Sequence, residues 1–293
     1  MLAWVQSLMD EFKADPLLDE ILINGVSALV KVRGQGSEVA RAPFEDALLF
    51  ERSIQDLAFQ NNLRMDPLKP CCGGALFYKE ADMKLRWHGI LRSACPHGPL
   101  FSLRRHRFEA VSSRDFLGFH GEALSVVVEA LRANTPIFVG GATGSGKTSF
   151  LSAILYEYCK KERIVFLEQY EEILLRSKLW VSLNPIESSR DGEGGVTFDT
   201  LFAEVLRMRP DRIVLGEARG KSEGRVLKNA LLTGHGGVLC SFHVDKVSRA
   251  LERLLHLMGS ECEKLLFERN PLLLMLRRGA PPQLVCVSFL SDL

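Results

Sequence analysis

The sequence predicts an α/β fold in which a larger α/β domain is preceded by a smaller α+β domain. Three observations predict it. From Phe119 onward, helical stretches alternate with short apolar ones, the order that parallel strands joined by crossover helices require. Before residue 109, strand-like segments bounded by Gly and Pro cluster around two amphipathic helices. The 293 residues, 46% hydrophobic and 25% charged, have the composition of an ordinary globular chain of about one to three domains. The expected division is 1–109, a linker over 110–118 containing polar Ser112-Ser113-Arg114-Asp115, and 119–293.

In chain order, Leu2, Val5, Leu8, Met9 and Phe12 recur at helical spacing up to Asp15-Pro16. Ile21–Ile23 and Ala28–Val32 flank Asn24-Gly25 and predict a hairpin. A helix is expected over Glu45–Asn62, with Leu48, Leu49, Ile54, Leu57 and Ala58 on its apolar side, then strands over 74–78, 84–91 and 100–104. The second domain reads as helix 123–131, strand 136–139, helix 149–158, strand 164–167, helix 198–208, strand 212–215, helix 222–232, strand 238–242 and helix 247–258. Two more strands, 272–276 and 284–289, close the chain.

Charge and composition exclude several classes of function. A formal net charge of +1 gives no global attraction to nucleic acid or anionic lipid. No apolar run approaches the roughly 20 residues that span a bilayer, and Asp10 and Glu11 do not suit a signal peptide; the expectation is a cytoplasmic protein. The seven cysteines form no CxxC pair, so neither a disulfide framework nor a zinc knuckle is expected.

The informative motif is Gly141-Ala142-Thr143-Gly144-Ser145-Gly146-Lys147-Thr148, followed by Ser149. It is a complete GxxxxGK[ST] placed between a predicted strand and a predicted helix. Glycines let backbone N–H groups close around a β-phosphate, and the helix N-terminus favours negative charge. Lys147 would supply charge to the β- and γ-phosphates of ATP, and the Thr148 hydroxyl would ligate Mg²⁺. A phosphate loop holds a nucleotide but does not activate water. For that, Arg212–Glu217 offers an apolar strand ending in a carboxylate, so Glu217 is the candidate to polarise the attacking water and to share in holding Mg²⁺. His243 follows the apolar strand 238–242, at the carboxyl edge of the sheet where ligands of open α/β sheets collect.

These residues carry a resemblance. The glycine motif, the run Leu206–Gly220 with its Arg-Met-Arg-Pro-Asp segment, and Thr233-Gly234-His235 followed by Ser241-Phe242-His243 together resemble the type II/type IV secretion ATPase superfamily. The long Arg-Met-Arg-Pro-Asp run is most similar to its tight-adherence (Flp-type) pilus assembly branch. Glu20–Gly25 and Pro99–Arg105 are similar to that family's opening hairpin and basic strand. The resemblance extends over most of the chain. It implies an N-terminal domain ahead of a RecA-like P-loop ATPase domain, ATP at their junction, a homo-hexameric ring, and an inner-membrane platform protein as partner, with membrane contact only indirect; the near-zero net charge, by itself, makes nucleic acid an unexpected partner without excluding a locally basic channel.

Residue by residue, the resemblance assigns Glu168 and Glu172 to an acidic box, with Gln169 where the family has Asp. It assigns His235 and His243 to a histidine box, in which His243 would sense the γ-phosphate and His235 would serve the sensor or shape a glycine-rich turn. Arg104, and second Arg86, would supply the arginine charge, an effect worth roughly 10³–10⁵ in rate where a finger reaches the γ-phosphate. Arg207, Arg209 and Arg219 flank the Glu217 strand, placed to contact a neighbouring subunit or to pair with surface acids. The expected activity is Mg²⁺-dependent ATP hydrolysis coupled to motion of the N-terminal domain, driving pilus assembly or protein secretion. Two alternatives stay open from the residues: a nucleotide-binding regulatory subunit with weak hydrolysis, and a P-loop nucleic-acid motor.

Overall fold

The computed structural model describes residues 2–34, 36–81, 83–106, 112–170, 173, 177–186, 194–235, 237–279 and 281–292. The chain forms two units, Met1–Arg107 with Glu187–Gly195, and Phe108–Ile186 with Val196–Leu293. In the first, α1 (Ala3–Ala14) buries Val5, Leu8, Met9 and Phe12, one face of a helix. β1 (Glu20–Asn24) and β2 (Ala28–Arg33) make the hairpin, turning at Gly25 with φ 58°, and β3 (Gly36–Ala40) pairs with β2. α2 (Ala47–Gln60) starts on Asp46, whose carboxylate accepts from the Leu48 N–H at 2.7 Å. Its inward face is Phe50, Ile54, Leu57 and Ala58. Leu48 and Leu49, expected on that face, are exposed: at about 100° per residue they fall outside the stripe that Phe50 begins. β4 (Cys71–Tyr78), β5 (Met83–Ile90) and β6 (Leu100–His106) complete an antiparallel sheet in the order β3-β2-β1-β6-β5-β4. Trp87, Phe101, Phe50 and Phe12 are buried in its core.

The second unit comprises α3 (Gly121–Arg132), β7 (Ile137–Gly141), α4 (Lys147–Tyr158), β8 (Ile164–Leu167), β9 (Trp180–Leu183), α5 (Phe198–Val205), β10 (Arg212–Ala218) and α6 (Lys221–Leu232). It continues with β11 (Val238–His243), α7 (Ala250–Met258), α8 (Glu263–Arg269), β12 (Leu272–Arg277) and β13 (Gln283–Phe289). The sheet order is β13-β12-β7-β11-β10-β8-β9. All neighbours are parallel except β12 and β13, so the carboxyl ends of β7, β8, β10 and β11 share one edge. Every residue of β7 and β8 is buried, as strands covered on both faces must be. One face packs on Leu227, Leu231 and Leu254, the other on Phe150, Leu151 and Leu155.

Within the expected linker 110–118, the described residues 112–118 belong to this second unit, with Ser113 and Phe116 buried. Ser113–Asp115 forms a single 3-10 turn. The Glu157 carboxylate accepts from the Ser112 hydroxyl at 2.9 Å and the Ser113 N–H at 3.0 Å. Phe116 and Phe119 are buried edge-on against Phe150, each at 5.0 Å. The elements β3, β9 and α8 were not anticipated from the sequence. Among the described residues, no helix is long and apolar enough to cross a membrane.

Candidate nucleotide site

The parallel sheet places the sequence-predicted residues on one edge. The glycine loop leaves β7 at Gly141, and His243, the last residue of β11, is in register with Gly141. Glu217 lies next to the end of β10, at a register irregularity between Leu215 and Ala218, and Glu168 directly follows β8. The loop itself needs its glycines. Gly144 and Gly146 have φ of 73° and 87°, and a Cβ on Gly141 would stand 2.5 Å from both the Leu276 carbonyl and Ser145 Oγ. α4 begins on Gly146 with no side-chain cap, so its first-turn N–H groups have no intrahelical acceptor. An uncapped helix start behind a left-handed glycine loop fits a phosphate group.

Four side chains form a chain across this edge. The ammonium of Lys147, buried, donates to the carbonyls of Gly141 at 3.0 Å and Ala142 at 2.9 Å and lies 3.3 Å from His243 Nδ1. His243 Nε2 contacts Glu217 Oε1, and Arg219 Nε donates to Glu217 Oε2 at 2.6 Å. An ammonium can only donate, so Nδ1 must be the acceptor, and in the neutral ring Nε2 carries the proton on the side facing Glu217. Burial lowers the His243 pKa below its ordinary 6.5; the Glu217 carboxylate opposes this, and Lys147 and Arg219 reinforce it. The neutral imidazole therefore relays contact between a lysine and a carboxylate without adding charge.

Glu168 is 3% exposed. Its carboxylate accepts from the Ile173 N–H at 3.2 Å and the Ser182 hydroxyl at 3.3 Å, and Asn184 Nδ2 donates to its main-chain carbonyl at 2.8 Å. It presses on β10, where a Cβ at Gly216 would come within 2.8 Å of its Cγ. The glycine before Glu217 thus makes room for the other carboxylate. Gln169 follows Glu168 at partial exposure, while Glu172 lies outside the described residues. Thr148 and Ser149 occupy the first turn of α4.

The structure separates the two histidines. His235 sits in the turn after α6, its N–H donating to the Ala230 carbonyl at 3.2 Å, ahead of β11 and so at the opposite edge of the sheet from His243. Arg86 and Arg104 face each other in register on β5 and β6 of the first unit, Arg104 exposed. Beside Arg104, Arg105 is pinned to the carbonyls of Phe12 and Asp15. Arg207 pairs with Glu204 at 2.9 Å and Arg219 with Glu217; Arg209 adopts φ 53°.

Other residues of this edge escaped the sequence reading. A cavity of about 1040 Å³ opens beside the loop, with Ala142, Thr143 and His243 on one side and Arg249, Arg253 and His256 on the other. Arg249 immediately precedes α7 and Arg253 and His256 lie on it, at i, i+4 and i+7, so this basic spacing was the available signal. Arg253 also donates to the Arg219 carbonyl at 3.1 Å, tying α7 to the segment that follows Glu217. Ser182 and Asn184, on and just after the unanticipated β9, gave no sequence signal as partners of Glu168.

A family model described as "Type II/IV secretion system protein" matches residues 80–274. A Mycobacterium tuberculosis protein named for conjugal transfer is 31% identical over 250 residues, covering 82% of this chain and 70% of its own. Among solved structures, the Legionella pneumophila ATPase DotB superposes with TM-score 0.68 at 16% identity, over 94% of this chain and 75% of its own. The pilus retraction motor PilT with bound ADP gives 0.67 at 14% identity, over 98% and 84%. At such identities the structural likeness is one of fold.

Proposed function

The chain belongs to the type II/IV secretion system protein family, and from that premise we propose that it hydrolyses ATP to drive pilus assembly or protein secretion. The observation that carries this reading is the Lys147–His243–Glu217 chain at the mouth of the glycine loop. A structural loop would need neither a buried ammonium turned back on its own carbonyls nor a carboxylate held at the far side of a neutral histidine.

In this reading the N–H groups of Gly144–Ser149 and the Lys147 ammonium bind the β- and γ-phosphates. Glu217 orients and polarises the attacking water, Glu168 supports it from the adjacent strand, and Glu172 adds to the same acidic segment. His243 senses the γ-phosphate: when Lys147 turns toward the phosphates, Nδ1 loses its donor, and the imidazole is free to re-aim the proton it gives Glu217. Arg86 and Arg104 supply the arginine charge compensation. The donors available for a metal, the Thr148 hydroxyl and the Glu217 carboxylate, are hard oxygens. Among the described residues no group of three or more His, Cys, Asp or Glu is arranged to hold a metal alone. That fits Mg²⁺ carried largely by the substrate phosphates and water, where it would neutralise charge developing on them.

The working assembly in this reading is a homo-hexamer in the cytoplasm, bound to an inner-membrane platform protein and reaching the membrane only through it, with ATP turnover displacing the N-terminal domain. The test is phosphate release by the purified full chain with ATP and Mg²⁺. Wild type should turn over and Lys147→Ala should lose nucleotide binding and turnover together. Equal phosphate release by both would contradict the assignment, and stimulation by single-stranded DNA would favour a nucleic-acid motor.

A further inference from the structure

β7, which feeds the glycine loop, has different neighbours on its two sides. On one side β11 and β10 bring His243 and Glu217 to the edge; on the other lies β12, with Leu276 in parallel register with Gly141. The connection from β12 to β13 therefore crosses the same edge as the loop, on the side away from the Lys147–His243–Glu217 chain. Three of the loop's glycines abut β12 or this connection. A Cβ on Gly141 would stand 2.5 Å from the Leu276 carbonyl, one on Gly146 3.2 Å from Pro282 Cγ, and one on Gly144 4.0 Å from Arg278 Nε.

Arg278 is exposed, and among the described residues it has no hydrogen-bond or ion-pair partner. Its neighbour Arg277, by contrast, donates to Gln283 across the hairpin. This guanidinium lies beside a loop that leads into the uncapped start of α4, whose first-turn N–H groups lack intrahelical acceptors. Such a fork gives strong charge-assisted bonds to phosphate oxygens.

We propose that Arg278 binds the diphosphate portion of the nucleotide, the part common to ADP and ATP, from the β12 side of the loop. The inference deepens the nucleotide-site reading and rests on it. It also sets a direction: the γ-phosphate lies toward His243 and Glu217, and the nucleoside toward the β12–β13 connection beside Pro282. Arg278 is then a second phosphate-binding cation of the same unit, contributed by a hairpin about 130 residues downstream of the loop.

The experiment is titration of the full chain with a fluorescent ADP, with unlabelled ADP and ATP as competitors, for wild type, Arg278→Ala and Arg278→Lys. Arg278→Ala should weaken ADP and ATP alike, by about five- to fiftyfold, with the ADP-to-ATP ratio unchanged; Arg278→Lys should recover part of the loss. Arg278 is exposed, so both variants should melt at the wild-type temperature. Unchanged ADP affinity in a folded Arg278→Ala protein overturns the proposal. So does a loss confined to ATP, which would put the guanidinium on the γ-phosphate. A wild-type chain that binds neither nucleotide overturns the nucleotide reading itself, and this inference with it.

Discussion

The ammonium of Lys147 is already held by two loop carbonyls and His243 Nδ1, so any phosphate it engages competes with those acceptors. His243 makes that competition felt at Glu217. Because burial lowers the His243 pKa below 6.5, the unfolded chain takes up this proton first on acidification. The stability tied to the neutral ring is present above about pH 6.5 and is lost as pH falls through the lowered value. Between about pH 7 and pH 5, wild type should therefore lose more melting temperature than His243→Gln; parallel losses would show that the ring is not held neutral. A second residue-scale prediction concerns Gly216. A methyl there would stand 2.9 Å from Glu168 Oε1 and push the carboxylate off Ser182 and the Ile173 N–H. Gly216→Ala should lower kcat roughly tenfold or more while ADP affinity stays near wild type, and an unchanged kcat would remove Glu168 from the account.

At the scale of elements, the packing of α6 on α7 depends on one glycine: a Cβ at Gly224 would overlap the Leu257 carbonyl. Backbone cannot step aside as a side chain can, so Gly224→Ala should cost about 1–3 kcal/mol in denaturant unfolding; no loss would mean the two helices are not this close. The helices and parallel strands of this unit were legible because the unbroken apolar run Ile164–Leu167 and the helical period of Lys221–Leu232 stand out. α8 was not, since its seven residues bury only Leu266 and show no stripe. β9 is four residues at the sheet edge with only Trp180 buried. The linker expected over 110–118 rests on the polar run Ser112–Asp115, whereas the contact of Phe116 with Phe150 joins residues far apart in the chain and leaves no local pattern. The site shows the same limit. The glycine loop, Glu217 and His243 are local patterns, whereas the role of Arg278 exists only through the pairing of β12 with β7. The irregularity in β10 that accompanies Glu217 leaves only an isolated glycine, Gly216, as its mark in the sequence, although such irregularities re-aim side chains at sites of this kind.

For the whole molecule, a net charge of +1 conceals a local arrangement of opposite charges, Lys147 and Arg219 against Glu217 and Glu168, on one sheet edge. Membership of the type II/IV secretion system protein family gives that edge its context, and the proposed hexamer adds a prediction: light scattering should show a mass near six chains when a non-hydrolysable ATP analogue is present, and a monomer throughout would remove the ring. The central claim is narrower, that the Glu217 carboxylate activates water at a nucleotide held by Lys147. It is tested most directly by Glu217→Gln, measuring ATP binding and phosphate release on the same preparation. The account predicts ATP affinity within a few fold of wild type and phosphate release lowered by about 10²–10⁴; wild-type phosphate release from Glu217→Gln would contradict it.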